Sequence, residues 1–192
     1  MLSECANRIA DYLSNNEIVK PEDKEIYIYG LEVILSTAAN LLIVTLLGCA
    51  LGLFVQTVVF VIAFAVLRVY AGGYHAKTHR SCIVTFTAIY LVNMILQRVT
   101  PDGIQRVLGS IIALTALVLI FTLAPIEHKN RPFEGNEYCK FKKMSRIIAS
   151  FEVFLVIAGV VVFPIYHTIT YCISLALLSV VLILAIAKKI EV

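Results

Sequence analysis

Apolar runs at 28–47, 51–67, 81–96, 107–126, 147–163 and 168–187 divide this chain, with short polar segments between them. A bilayer core about 30 Å thick takes roughly 20 helical residues per crossing, so each run is matched to one span. Lipid offers no hydrogen bonds to the backbone, so each span must be helical. Composition agrees: 60% of the 192 residues are hydrophobic and 15% are charged, against about 25% charged for a soluble domain. The reading is an all-α, polytopic membrane protein of one domain, 1–192. It has a six-helix core over 28–187 and an amphipathic N-terminal segment over 1–24. Gly48 and Gly52 in "LGCALGL" allow a tight hairpin between the first two spans, and Pro164 opens a short turn between the last two.

Basic residues set the expected orientation, because Lys and Arg near span ends stay in the cytoplasm. With the N-terminus inside, the cytoplasmic segments hold Arg8, Lys20 and Lys24, then Arg68, Lys77 and Arg80, then Lys129, Arg131, Lys140, Lys142, Lys143 and Arg146, and finally Lys188 and Lys189. Only Arg98 and Arg106 fall outside. Both termini and the segment between spans two and three are therefore expected on the cytoplasmic side of a cell membrane.

Ahead of the first span, "MLSECANRIADYLSNN" spaces Leu2, Cys5, Ile9, Tyr12 and Leu13 as one helical face, opposite Glu4, Asn7, Asp11 and Asn15. That pattern suits a helix lying at the membrane surface or against a partner. Its polar face lacks the Lys/Arg richness that strengthens adsorption to anionic lipid. The start also lacks the basic-then-apolar order of a cleavable signal peptide. Five dispersed cysteines without a CxxC pair suggest neither a disulfide framework nor a zinc site. Inside the spans, Asn40 and Asn93 are expected to bond across helices. Glu32 and Glu152 are read as carboxylates near the cytoplasmic interface.

The segment "RVYAGGYHAKTHRSC", residues 68–82, interrupts the apolar pattern between spans two and three. On a continuous helix His75, His79 and Cys82 would share a face, a spacing able to hold zinc or copper. Gly72 and Gly73 disfavour such a helix, and a fourth ligand is not evident. A second reading makes His75 the base and Cys82 the nucleophile. Seven residues of helix would hold that pair about 10.5 Å apart along the axis, beyond hydrogen-bond reach, so the pairing requires a helix break. A helix starting near Cys82 would set its thiol at the positive end of the dipole, beside Lys77 and Arg80, and favour the thiolate. The third reading leaves both as interfacial residues. Spacing alone keeps all three open.

The Arg-x3-Gly-Gly-x-His-x6-Cys string, its place after the second span, and the later basic loop "APIEHKNRPFEGNEYCKFKKMSR" together resemble the accessory gene regulator B (AgrB) family of bacterial membrane peptidases. The resemblance covers nearly the whole chain. It implies a cysteine endopeptidase that removes the C-terminal tail of a small, AgrD-like precursor peptide, leading to a cyclic quorum-sensing signal. By matching position, His75 would be the base and Cys82 the nucleophile, with Arg68, Gly72 and Gly73 in supporting roles and His79 in none. The resemblance also implies a homodimer. In the basic loop Lys129, Lys140, Lys142 and Lys143 would steer an acidic precursor tail. Arg68 is read either as snorkelling to the interface or as gripping a substrate carboxylate.

The expected partners are thus the precursor peptide, membrane lipid and a second copy; no metal, cofactor or nucleic acid is called for. The contrasting classes are a small transporter and a metal-binding membrane protein. A transporter of this kind would show paired halves with interrupted helices, and 28–96 does not repeat in 107–187.

Overall fold

The computed structural model describes residues 2–16, 18–73, 79–127, 133, 135–162 and 167–191. Among these are seven α-helices: α1 (Leu2–Asn15), α2 (Lys24–Ala50), α3 (Phe54–Ala71), α4 (His79–Val99), α5 (Asp102–Leu123), α6 (Glu137–Val162) and α7 (His167–Glu191). A 3-10 turn, Pro21–Asp23, leads into α2. No strand occurs among the described residues, and the six helices α2 to α7 are each long and apolar enough to cross a membrane. The expected all-α fold with an N-terminal amphipathic helix is the one observed.

Span boundaries differ from the apolar runs where local chemistry overrides hydropathy. The fourth span, α5, stops at Leu123, not 126, because proline disfavours the α conformation in the residue before it; Ala124 is extended at φ −86°, ψ 148°. The fifth span begins at Glu137, ten residues before the apolar run. Lys140, Lys142 and Lys143 therefore lie in the first two turns of α6 rather than in a loop. Asn136 accepts from the Lys140 amide at 3.1 Å, and the acidic Glu137 in the first turn complements the helix dipole. The hairpin at "LGCALGL" forms as expected, with Gly52 at φ 67°. The turn at Pro164 lies outside the described residues.

The chain gathers into two compact units, Met1–Leu47 with Ala76–Ala88, and Gly48–His75 with Ile89–Val192. In the first, α1 buries Ala6 and Ala10 while Ile9 and Tyr12 point outward. The face turned inward is the one whose small side chains permit close approach. Asp11 pairs with Lys24 at 2.6 Å, tying α1 to the start of α2. Along α2 the buried stripe is Ser36, Asn40 and Val44, four residues apart. Asn93 bonds across helices as expected, but Asn40 Oδ1 is buried without a hydrogen-bond partner among the described residues.

The second unit is built around α7, whose residues 170–177 are buried without interruption. Helices α3, α5 and α6 pack on it, and α6 also packs on α3 and α5. With no water to expel from between lipid-facing helices, close packing and polar ties hold such a bundle. Both are present. A Cβ on Gly109 would come within 3.2 Å of Tyr171, and one on Gly159 would overlap Thr170. These glycines therefore serve contacts within the chain. Asn93 donates to Ser179 at 2.9 Å, Gln97 to the Thr168 carbonyl at 3.0 Å, and Thr57 pairs with Tyr90 at 2.7 Å.

Candidate functional site

The site residues in the second unit cluster where α3 ends. Gly72 (φ 69°) and Gly73 (φ 111°) occupy conformations that L side chains rarely adopt, which stops the helix at Ala71. The Arg68 guanidinium donates to the Gly72 carbonyl, and the Gly72 amide donates to the Arg68 carbonyl at 3.2 Å. Across from them, Gly72 forms an isolated parallel bridge with Ile126, whose amide donates to the Ala71 carbonyl at 3.1 Å. A Cβ on Gly72 would strike the Ile126 carbonyl oxygen. A Cβ on Gly73 would stand 3.3 Å from Arg68 Nη1, Ile183 Cγ2 and Leu184 Cδ2. The glycine pair thus both breaks the helix and lets two backbones touch. Arg68 is engaged in that break instead of only snorkelling.

In the first unit, Cys82 is the fourth residue of α4, which begins at His79. A helix starting near Cys82 is what the catalytic reading needs. The thiol sits in the first turn, half-buried, on the inward stripe it shares with Ile83, Phe86 and Thr87; Ser81 and Val84 point outward. The unsatisfied amides of a first turn give that end of the helix its partial positive charge. His75 and Lys77 lie outside the described residues, as does Lys129 in the basic segment.

The described residues of the basic segment, Lys140 to Arg146, belong to the second unit. Lys142 Nζ stands 5.4 Å over the Tyr138 ring, and the Arg146 guanidinium 5.0 Å over the Phe121 ring, while Arg146 donates to the Phe121 carbonyl at 2.9 Å. Phe141 meets Tyr70 at 5.8 Å and Phe133 at 5.4 Å between ring centroids. This aromatic contact sets the basic start of α6 beside the end of α3, two residues from Gly72. A cleft of about 360 Å³ lined by Cys139, Lys142, Lys143, Arg146 and Ile147 opens there. Lys140 is exposed.

Ile126 and Phe141 were not singled out by sequence reasoning. The "AP" that precedes Ile126 marked a loop start, but nothing in the string announced that its backbone would pair with Gly72. Glu152 is a correction. It is 6% exposed and so not bathed in headgroup water. Because α6 starts at Glu137, it lies fifteen residues, about 22 Å, into the helix.

These features define a multi-pass membrane protein whose polar, glycine-broken segment joins two spans. The family model for accessory gene regulator B matches residues 6–185, and the chain belongs to that family. An AgrB-like protein of Listeria innocua is 31% identical over 159 residues, covering 81% of this chain and 74% of the relative. One from Listeria monocytogenes serotype 4a is 30% identical over the same shares. AgrB-like protein 2 of Clostridium perfringens strain 13 is 22% identical over 169 residues, or 85% and 79%. No solved structure matches the chain at a significant level. Membership supports a role in accessory gene regulator peptide processing, the signalling chemistry that the sequence resemblance implied.

Proposed function

We propose that the protein is a membrane-embedded cysteine endopeptidase that cuts the C-terminal tail from a small precursor peptide on the cytoplasmic side. The observation that carries this reading is where the Arg-x3-Gly-Gly-x-His-x6-Cys motif falls. Its glycines end α3 at Ala71 and its cysteine lies in the first turn of α4, so the motif does not run as one continuous helix, which supports a His75–Cys82 pair although His75 itself lies outside the described residues.

In this reaction His75 takes the Cys82 proton, and the thiolate adds to a backbone carbonyl of the precursor. The tetrahedral adduct expels the tail as an amine, which His75 protonates. The N-terminal fragment stays on Cys82 as a thioester. An internal thiol or hydroxyl of that fragment then displaces Cys82, giving a cyclic thioester or ester and the free enzyme. Water would intercept the acyl-enzyme, so the half-buried position of Cys82 favours transfer over hydrolysis. Arg68, Gly72 and Gly73 hold the segment that carries His75. Lys129, Lys140, Lys142 and Lys143 attract an acidic tail, a salt-sensitive contribution. The protein acts in the lipid bilayer as a pair of copies.

Co-expression with a candidate precursor, followed by precursor size, tests the mechanism. Cys82→Ala and His75→Ala are expected to abolish cleavage, and His79→Ala to spare it. Cleavage surviving Cys82→Ala overturns the reading, and equal loss with His79→Ala favours a metal role instead.

A further inference from the structure

Below the basic cleft, a groove of about 420 Å³ runs along the outside of the bundle between α3 and α6. Val59, Ile62 and Val66 form one wall and Phe151 and Leu155 the other. Ile62 and Phe151 are 58% and 59% exposed, so the groove opens outward. Against this apolar lining stands one polar group, Glu152. The residue is 6% exposed, and its Oε2 has no hydrogen-bond partner among the described residues. A buried carboxyl oxygen left without a donor is costly, and ionisable residues within membrane helices mark substrate, ion or proton pathways. Ile147 lines both the groove and the basic cleft, so the two adjoin on α6.

The surface specifies its ligand by charge and depth. Arg146 and Glu152 are six residues apart on α6, and Lys142 and Glu152 ten, which is about 9 to 15 Å along the axis. A ligand that satisfies both ends needs an apolar body, a negative group at the membrane interface, and a hydrogen-bond donor or cation that distance deeper. An acyl chain supplies the first two when it hangs from an anionic headgroup, but it carries no donor to Glu152. A helix supplies all three while keeping its own backbone bonded in lipid.

We propose that this groove docks an apolar helix of the precursor peptide, which brings one donor side chain to Glu152 and, about two turns away, one acid to Lys142 and Arg146. The proposal rests on the peptidase reading for the identity of the peptide, but the docking needs no cleavage. Glu152 then acts as a recognition residue remote from the reacting thiol, and the groove fixes how deep the precursor sits.

The test uses the full chain carrying Cys82→Ala in phosphatidylcholine nanodiscs, so that binding is read apart from chemistry. The probe is a fluorescent Leu/Ala helix of about 22 residues with one Glu and one Lys about seven residues apart. The probe is expected to lose at least about tenfold in affinity on Glu152→Gln. A probe with Lys replaced by Leu should bind both proteins equally and weakly. Ile62→Trp, which fills the groove from its exposed side, should weaken the parent probe comparably without testing the fold. Equal binding of the parent probe to wild-type and Glu152→Gln proteins overturns the proposal. So does displacement by phosphatidylglycerol that is unchanged by Glu152→Gln, which assigns the surface to lipid. Burial of the groove by self-association, seen as probe binding that falls with protein concentration, assigns it to a second copy and also overturns the proposal. Failure here leaves the peptidase reading standing, because loss of cleavage in Cys82→Ala is measured independently.

Discussion

At the residue scale the glycines of this chain separate two effects that usually come together. Gly52 and Gly72 have nearly the same φ, 67° and 69°. A Cβ on Gly52 meets nothing within 4 Å, whereas one on Gly72 strikes the Ile126 carbonyl oxygen. Gly52→Ala should therefore cost only the left-handed strain, about 1–2 kcal/mol. Gly72→Ala would also hold an L residue at φ 69°, ψ −151°, a region that is essentially glycine's alone, and would add a backbone collision that can be relieved only by separating the two segments. Thermal unfolding of the purified protein in lipid is expected to rank Gly72→Ala well below Gly52→Ala; equal losses would show that the Gly72–Ile126 contact contributes nothing. Arg68 behaves in the same local way. Its guanidinium tethers the first glycine's carbonyl, so Arg68→Ala should slow precursor cleavage while leaving the protein in the membrane, and Arg68→Lys should recover only part of the rate.

At the scale of elements, α1 shows that the apolar face that names a helix need not be the face it buries within its own chain. Cys5, Ile9 and Tyr12 recur at helical spacing, yet Ala6 and Ala10 are the buried pair. Ala10→Leu is expected to overpack this contact and destabilise the first unit by about 1–3 kcal/mol. Ile9→Ala should leave stability within about 0.5 kcal/mol, as for other outward-facing positions. Comparing denaturation of the two variants checks the assignment of faces. A similar shift occurs in α6, where the charged residues 140–146 read as loop. Hydropathy detects the part of a helix that lies in lipid, and an extension beyond the interface leaves no such trace.

For the whole molecule, the basic-residue pattern is a statement about topology that the native cysteines can test. With the N-terminus inside, a membrane-impermeant maleimide applied to single-cysteine variants of intact cells should reach Cys49, at the outer hairpin, and miss Cys5 and Cys139. Inside-out vesicles should reverse this. Cys172, buried in the core of α7, should stay unlabelled in both. Labelling of Cys139 from outside would invert the proposed orientation and remove the basic cleft from the side where a newly made peptide arrives.

The sequence by itself determined the number and type of the spans, since apolar length and the need to satisfy the backbone in lipid leave helices as the solution. It also determined that the helix must break after the second span, because adjacent glycines at 72 and 73 admit conformations other residues resist. The family was legible from the same string. Tertiary structure alone decided which backbone the glycines would meet, which face of α1 would turn inward, and that Glu152 would be enclosed by α6 and its neighbours in place of headgroup water. Those outcomes depend on contacts between residues far apart in the chain, and no local pattern encodes the partner across a contact.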